Sequence, residues 1–175
     1  MKLTKKQVNS LLKVMYKGKD RAALECLAIT RYGDDGDIVA VASNGYSLAA
    51  LYLDVEEAEK IVTLKLRRDA LETWYKLAQA RDTLDTAGLV KLFDDDYQRH
   101  GSHLDVSYPD WTKLLDVANE RPSEITFNAE YAKHLQDLDG SDGLKYRVNG
   151  YLKPMIAYNE RGIYMLAPKV NTTTQ

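Results

Sequence analysis

Two acidic runs carry the side chains best suited to chemistry. Gly33-Asp-Asp-Gly-Asp37 and Phe93-Asp-Asp-Asp-Tyr97 could offer the oxygen ligands that Mg²⁺ and Ca²⁺ prefer. Both runs fall at predicted turns, and Asp and Gly are the residues that hairpin turns favour. The first run also lacks the later Glu of a calcium-binding loop. We therefore expect no metal site and no cofactor.

The other reactive side chains do not form a catalytic pattern. His100, His103 and His134 lack the spacing of a helical metal pair, and the sequence has no Gly-rich phosphate loop. Ser47 lies near Gly45 but lacks the Gly-x-Ser-x-Gly context of a nucleophile elbow. These features favour a protein that is not an enzyme.

Composition and charge limit the remaining classes. A chain of 175 residues with 45% hydrophobic content can bury a core in one or two small domains. No segment reaches the roughly 20 apolar residues of a membrane span, and the basic N-terminus does not run into a secretory signal, so we expect a cytoplasmic protein. Cys26 is the only cysteine, which excludes an intrachain disulfide, and its apolar neighbours predict a buried strand position. The net charge of -2 leaves room for a basic face on an acidic body.

The chain repeats one order of elements three times, which predicts an α+β protein with antiparallel sheets. Unit 1 opens with a helix capped by Thr4 and Gln7, followed by strands at 23–32, 38–43 and 46–53. Unit 2 has a strand at 60–66, a helix at 68–80, and strands at 87–93 and 101–106. Unit 3 has a strand at 123–127, a helix between Asn128 and Gly140, and strands at 144–148, 155–158 and 162–170.

Three segments of these units resemble the bacterial DNA polymerase sliding clamp. They are Ile38-Val-Ala-Val-Ala-Ser-Asn-Gly-Tyr-Ser-Leu-Ala-Ala50, Tyr108-Pro-Asp-Trp111 and Tyr164-Met-Leu-Ala-Pro-Lys-Val170. In the family these positions hold a strand ending in a Thr-Asp-Gly-His-Arg-Leu-like turn, a Phe-Pro-Asp-Tyr segment, and a closing strand rich in Met and Pro. The resemblance implies the sliding-clamp fold in about one and a half clamp domains: residues 1–116 as one domain, 123–170 as half a domain, and 171–175 as a tail.

The resemblance also implies a function. A clamp is a processivity factor that encircles duplex DNA without reading its sequence and tethers a DNA polymerase or other replication proteins. Bacterial clamp chains hold three domains, so a chain of three units needs a homo-oligomer to close a ring, either a dimer or a four-chain ring. Unit 3 is then expected to meet unit 3, and unit 1 to meet unit 1. The reduced length suggests a clamp of a phage or mobile element.

In the family, short partner peptides bind in a groove between the middle domain and the last strand. Such a groove suits an extended peptide with Leu, Phe or Met anchors. Carried over by position, the groove residues here are Ser43, Gly45, Tyr46, Leu48, Pro109, Leu114, Leu166 and Ala167. Tyr46, Ser47 and Ala167 replace a family His, Arg and Met, so the partner motif is expected to differ. Leu48, Leu114 and Leu166 could equally be core residues.

DNA contacts in such a protein come from helix cations that touch phosphates. The candidates are Lys6, Lys13, Lys17, Arg68, Lys76 and Lys133, although a basic helix face can also be merely solvated. The main alternative function is a clamp-fold interaction protein that binds replication partners or a host clamp without encircling DNA. A small metal-dependent nuclease using Asp34 and Asp35 is the remaining enzymatic alternative.

Overall fold

The computed structural model describes residues 2–34, 36–53, 64–85, 107–115, 125–148, 150 and 153–169. Outside them lie the predicted strands 87–93 and 101–106, the acidic run 93–97, His100, His103 and the segment 116–122. The described elements are, in chain order, β1 (Lys2–Thr4), α1 (Lys5–Val14), β2 (Cys26–Tyr32), β3 (Asp37–Ser43), β4 (Ser47–Tyr52), β5 (Leu64–Arg67), α2 (Arg68–Leu77), β6 (Thr83–Asp85), a 3-10 helix (Trp111–Leu115), α3 (Ala129–Asp139), β7 (Met155–Asn159) and β8 (Gly162–Leu166).

All three units contribute to one antiparallel sheet of six strands. Its order is β5-β2-β3-β4-β8-β7, while β1 and β6 form a separate pair. Unit 2 adds β5 beside β2, and unit 3 adds β8 beside β4. Unit 1 therefore lies between the other two, and the expectation that unit 1 meets unit 1 of another copy is wrong. The reason is that both outer strands of the unit 1 sheet are already paired within the chain.

The helices cover one face of this sheet. α1 packs against both α2 and α3, so a wide stripe of it is buried, including Val8, Leu11 and Val14. These side chains form one core with sheet residues such as Tyr164 and Leu166. A second cluster lies on the opposite face, where Trp111 covers the sheet. None of the helices in the described part of the chain is long and apolar enough to cross a membrane.

Local signals placed the start of α1 and both ends of α3 correctly, whereas α2 ends at Leu77, before the predicted residue 80. The Thr4 side chain accepts a hydrogen bond from the Gln7 backbone N–H (3.2 Å), and Gln7 Oε1 accepts one from the Thr4 N–H (2.9 Å), which confirms the predicted capping box. Asn128 Oδ1 caps the Glu130 N–H of α3 (2.9 Å), and Gly140 ends α3 with a φ of 72°, as predicted. Cys26 is buried in β2, as expected, and burial raises the pKa of its thiol.

Short strands were predicted poorly. Lys2–Thr4 and Thr83–Asp85 pair as β1 and β6, although three residues are too few to show a strand period. The predicted strand at 144–148 is reduced to one bridge, Arg147 to Ile156. The predicted strand at 123–127 is irregular where it is described, from residue 125.

A buried carboxylate fastens the end of α3 to the hairpin of β7 and β8. Asp139, 3% exposed, accepts hydrogen bonds from the Tyr164 hydroxyl (2.9 Å) and the Asn159 amide (2.8 Å). Burial alone would raise its pKa, but the polar groups of Ser141, Asn159 and Tyr164 around the carboxylate outweigh that effect and hold the pKa below its ordinary value. Burial and the neighbouring carboxylate raise the pKa of Tyr146 to about 12, so this hydroxyl stays protonated.

We predict that Asp139→Ala lowers the free energy of unfolding at neutral pH by about 2 to 4 kcal/mol, because it leaves buried donors unpaired. Since the folded pKa of Asp139 is depressed, its contribution is present above its unfolded pKa, ordinarily 3.8, and is lost as pH falls through the folded value. Urea unfolding at several pH values measures both effects. Asp137→Ala, which removes only a half-exposed carboxylate 4.0 Å from Lys13, should cost less than about 1 kcal/mol. Equal costs for the two variants would contradict this assignment.

Candidate functional site

The tight turn between β3 and β4 is held rigidly by its own side chains. Asn44 Oδ1 accepts hydrogen bonds from the backbone N–H groups of Tyr46 and Ser47, both at 2.8 Å. Ser43 Oγ accepts from the Gly45 N–H (3.1 Å) and donates to the Ser47 carbonyl (3.0 Å). Gly45 has a φ of 88°, a conformation that favours glycine. Two of the predicted groove residues, Ser43 and Gly45, therefore shape the turn itself.

This turn is joined to the end of the last strand. Ser47 pairs with Leu166 in the β4 and β8 ladder, and the Ala167 N–H continues the ladder by donating to the Tyr46 carbonyl at 2.7 Å. The two chain segments expected to form opposite walls of a groove therefore lie side by side. Tyr46 is 58% exposed, and its ring stacks on Tyr131 of α3, with centroids 6.0 Å apart.

The sheet face opposite the helices provides an apolar floor. Leu48 and Met165 are direct neighbours across β4 and β8, and both belong to the cluster covered by Trp111. The Trp111 ring packs against Tyr32 at 5.1 Å between centroids. Leu114, in the same 3-10 helix as Trp111, is 46% exposed, and Pro109, just before that helix, is exposed too. Exposed apolar groups thus border a buried apolar floor.

Side-chain alternation separates Leu166 from this floor. Leu166 is fully buried among the helix-side residues, with Tyr164, whereas Met165 faces the Trp111 side. Leu166, one of the groove residues expected from the sequence, thus lies on the helix side of the sheet, whereas Met165 and Trp111 lie together on the other side. The period of two along a strand was visible in the sequence, but the register of β8 against β4 was not.

The predicted DNA-contacting cations lie on or beside the helix layer. Lys6, Lys17, Lys76 and Lys133 are exposed. Lys13 is half-exposed and lies 4.0 Å from Asp137. α1 carries three lysines and no acidic residue, whereas α3 carries Lys133 against three acidic residues, Glu130, Asp137 and Asp139. The positive charge is therefore concentrated on the central helix.

Arg68 occupies a different environment from the lysines. Its side chain is only 16% exposed, pairs with Glu72 at 2.7 Å, and donates to the carbonyls of Leu12 (2.6 Å) and Met15 (3.0 Å) at the end of α1. A cation here satisfies carbonyls that have no partner within their own helix. This contact gives Arg68 a structural role that the sequence did not reveal, so we leave it out of the DNA-contacting set proposed below.

A cavity of about 260 Å³ adjoins Arg68. It is lined by cations and carboxylates in similar numbers: Lys17, Lys19, Arg67 and Arg68 with Glu25, Asp69 and Glu72. Within the described ranges no cluster of three His, Cys, Asp or Glu side chains could hold a metal ion. His134 lies on α3, with Nε2 3.9 Å from Glu130, while Gly33 and Asp34 form part of the turn after β2.

Comparison with solved structures places this architecture among known folds. The chain matches the DNA polymerase sliding clamp of Caulobacter crescentus with a TM-score of 0.67 and 13% identity, covering 97% of this chain and 65% of that one. The clamp of Pseudomonas aeruginosa with a ligand gives a TM-score of 0.65 at 12% identity, and the polymerase III β subunit of Borrelia burgdorferi gives 0.66 at 8%. The chain has the sliding-clamp fold. It spans about 65% of the length of these clamp chains.

The clamp likeness is one of structure and not of sequence. No protein-family model matches the chain, and no curated protein matches it. The structural matches confirm the predicted α+β sliding-clamp fold. The domain boundaries at 116 and 123, the groove residues and the DNA-contacting residues stay predictions.

We predict that Arg68→Met destabilises the protein by about 1.5 to 3 kcal/mol, because buried carbonyls of α1 lose a charged donor while the aliphatic packing is kept. The matched variant Lys76→Met removes an exposed cation of the same helix and should change stability by less than about 0.5 kcal/mol. Chemical unfolding followed by circular dichroism measures both. If Arg68→Met were as stable as Lys76→Met, the structural role would be refuted.

Proposed function

We propose that this protein is a non-enzymatic, cytoplasmic clamp that encircles duplex DNA as an oligomer and tethers replication proteins through the groove beside Trp111. The observation that carries the proposal is the sliding-clamp fold over 97% of the chain, with a helix layer on one face of a continuous sheet and a partly exposed apolar surface on the other. One face thus suits DNA and the other suits a protein partner.

The charge on the helix layer supports the DNA contact. Lys6 and Lys13 of α1, Lys17 just after it, Lys76 of α2 and Lys133 of α3 all reach solvent to some degree. Separate ammonium groups attract phosphates without reading bases. This is the kind of contact that a sliding protein requires, because tight binding to one sequence would stop it from moving.

The groove supports the tether. Leu48 and Met165 lie on the sheet face that Trp111 covers, and Pro109 and Leu114 are exposed beside Trp111. Tyr46 is exposed in the turn that precedes Leu48. An extended peptide could place Leu or Phe anchors against the exposed Pro109 and Leu114 and use backbone groups near Ala167.

The deciding experiment measures whether binding depends on DNA topology. The protein is incubated with nicked circular DNA, alone and with a clamp loader, and is then separated from free protein by gel filtration at raised salt. An encircling protein is retained on the circle and is released when a restriction enzyme linearises it. Equal retention on circular and linear DNA would exclude encirclement.

A charge variant controls this assay. Lys6→Gln with Lys13→Gln should weaken DNA binding and reduce the slope of log K against log salt by about 2. Lys153→Gln, exposed just before β7, serves as the single-charge control and should change the slope by less than 1. An unchanged slope in the double variant would remove α1 from the DNA contact.

We also predict that Tyr46→Ala and Leu114→Ala each weaken the binding of a labelled extended peptide with Leu and Phe anchors at least tenfold, since each removes exposed apolar area from the proposed groove. Fluorescence anisotropy measures the affinity. Leu77→Ala removes a leucine that is 80% exposed on α2, away from the groove, and should leave it unchanged. Equal losses in all three variants would refute the groove.

One observation favours a second candidate, a clamp-fold protein that binds replication partners or a host clamp without encircling DNA. α3 is acidic overall, with Glu130, Asp137 and Asp139 against Lys133, so the helix layer is not basic throughout. The groove would serve this function equally. Retention that ignores DNA topology, together with intact peptide binding, would select it.

A further inference from the structure

Units 1 and 2 are joined by a contact that is nearly symmetric. The strand before each helix pairs with the strand after the other helix: β1 with β6, and β5 with β2. The first residue of each helix reaches the end of the other, because Lys5 Nζ donates to the Ala78 carbonyl (2.5 Å) and Arg68 donates to the Leu12 and Met15 carbonyls. Each unit thus contributes the same elements to the contact: a strand before its helix, the first residue of the helix, the end of the helix and a strand after it.

The apolar residue before each helix cap is buried by this exchange. Leu3 precedes the Thr4 cap, is fully buried, and pairs with Leu84. Leu66 precedes the Arg67 cap, is 2% exposed, and pairs with Leu27. These pairs are the apolar centre of the contact between the two units.

Unit 3 has the same element order, but the segment before its helix pairs with no strand among the described residues. One backbone hydrogen bond, from the Lys169 N–H to the Thr126 carbonyl (2.7 Å), joins it to the segment after β8 of its own chain. Phe127 precedes the Asn128 cap in the position of Leu3 and Leu66, yet it is 43% exposed. The difference does not come from a polar residue at this position, since Phe is the largest apolar side chain of the three. A large apolar group is therefore left partly open to solvent at the place where the other units bury one.

The segment after α3 is open as well. Arg147 exchanges two backbone hydrogen bonds with Ile156 of β7 (2.6 and 3.0 Å). In an antiparallel pair the flanking residues direct their N–H and C=O groups to the other side, so those of Tyr146 and Val148 face away from β7. Val148 is 41% exposed. We call residues 125–128 and 144–148 the unit 3 edge.

We propose that the unit 3 edge binds the unit 3 edge of a second copy of this chain about a two-fold axis. An isologous contact needs both complementary halves on one surface, and the unit 3 edge contains both: a segment before the helix and a segment after it. In this pair, residues 125–127 of each copy lie against 144–148 of the other, as β1 lies against β6 and β5 against β2. The exchange would bury Phe127 and Val148 of both copies.

The charged groups near the unit 3 edge are compatible with this pairing. Arg147 stacks on Tyr158 of its own chain at 5.5 Å and donates to its hydroxyl at 2.8 Å, so its charge is held along its own sheet. The helix α3 begins with Ala129 instead of a cation, and its last carbonyl, that of Asp139, already accepts from Arg161 (2.5 Å). The reciprocal cations of units 1 and 2 are thus replaced by a contact within each chain.

This proposal deepens the proposed function, because it names the surface through which oligomers form. A dimer through unit 3 sets six units in one arc, with unit 2 at each end. The four-chain ring expected from the sequence then needs a second contact through unit 2. The dimer itself does not depend on DNA binding.

The test is the absolute mass of the full chain by light scattering coupled to size exclusion, over a hundredfold range of concentration at physiological salt. We expect at least twice the 19.8 kDa mass of the chain. Phe127→Asp and Val148→Asp should each weaken the dimer at least tenfold, while Leu77→Asp, a more exposed leucine on α2, should leave the mass unchanged. Circular dichroism checks that each variant folds, and Phe127→Ser and Val148→Thr replace any that does not.

A monomer at every concentration overturns the proposal, as does an oligomer that resists both substitutions at the unit 3 edge. The DNA retention assay is separate. A unit 3 dimer that is not retained on circular DNA would leave this proposal standing and refute encirclement. Retention on circular DNA by a protein whose dimer resists both substitutions would support encirclement and refute the unit 3 contact.

Discussion

The antiparallel ladder between β4 and β8 is the interaction on which the rest of the structure depends. It joins unit 3 to unit 1 by pairing Leu48 with Met165 and Ser47 with Leu166. Each pair brings together residues from opposite ends of the chain, so the backbone hydrogen bonds of the ladder must offset a large loss of chain entropy. Once the ladder forms, the sheet is continuous from β5 to β7, and the side chains of both ends are sorted onto its two faces.

This ladder also determines the helix layer. Because unit 3 attaches to unit 1 and not to unit 2, α1 is enclosed between α2 and α3. Its neighbours bury even Ser10, which is 2% exposed, and leave mainly its lysines to reach solvent. The basic character of the layer therefore depends on which helix is central. An arrangement with unit 2 in the middle would have exposed the mixed charges of α2 in the same place.

The contact between α1 and α2 separates structural cations from those that reach solvent. Lys5 and Arg68 are used to bind helix-end carbonyls, whereas Lys6 and Lys13, on the same side of the molecule, reach solvent in full or in part. Groups that hold the helices together cannot also contact phosphates without breaking those hydrogen bonds. In this way one layer can provide both a rigid scaffold and exposed lysines that contact phosphates without reading the bases. The proposed clamp function needs this combination.

The sequence by itself determined features that depend on a few adjacent residues. These features were the Thr4 and Gln7 capping box, the α3 ends at Asn128 and Gly140, and the turn at Asn44 and Gly45. They could be predicted because the hydrogen bonds of a cap or a turn join residues only a few positions apart. The clamp fold was also readable, from short segments in the right order. Tertiary structure alone decided that unit 1 is central, that Met165 and not Leu166 shares a sheet face with Trp111, and that Arg68 is structural. Each of these depends on strand register or on contacts between distant segments, and one residue of register moves every side chain of a strand to the other face.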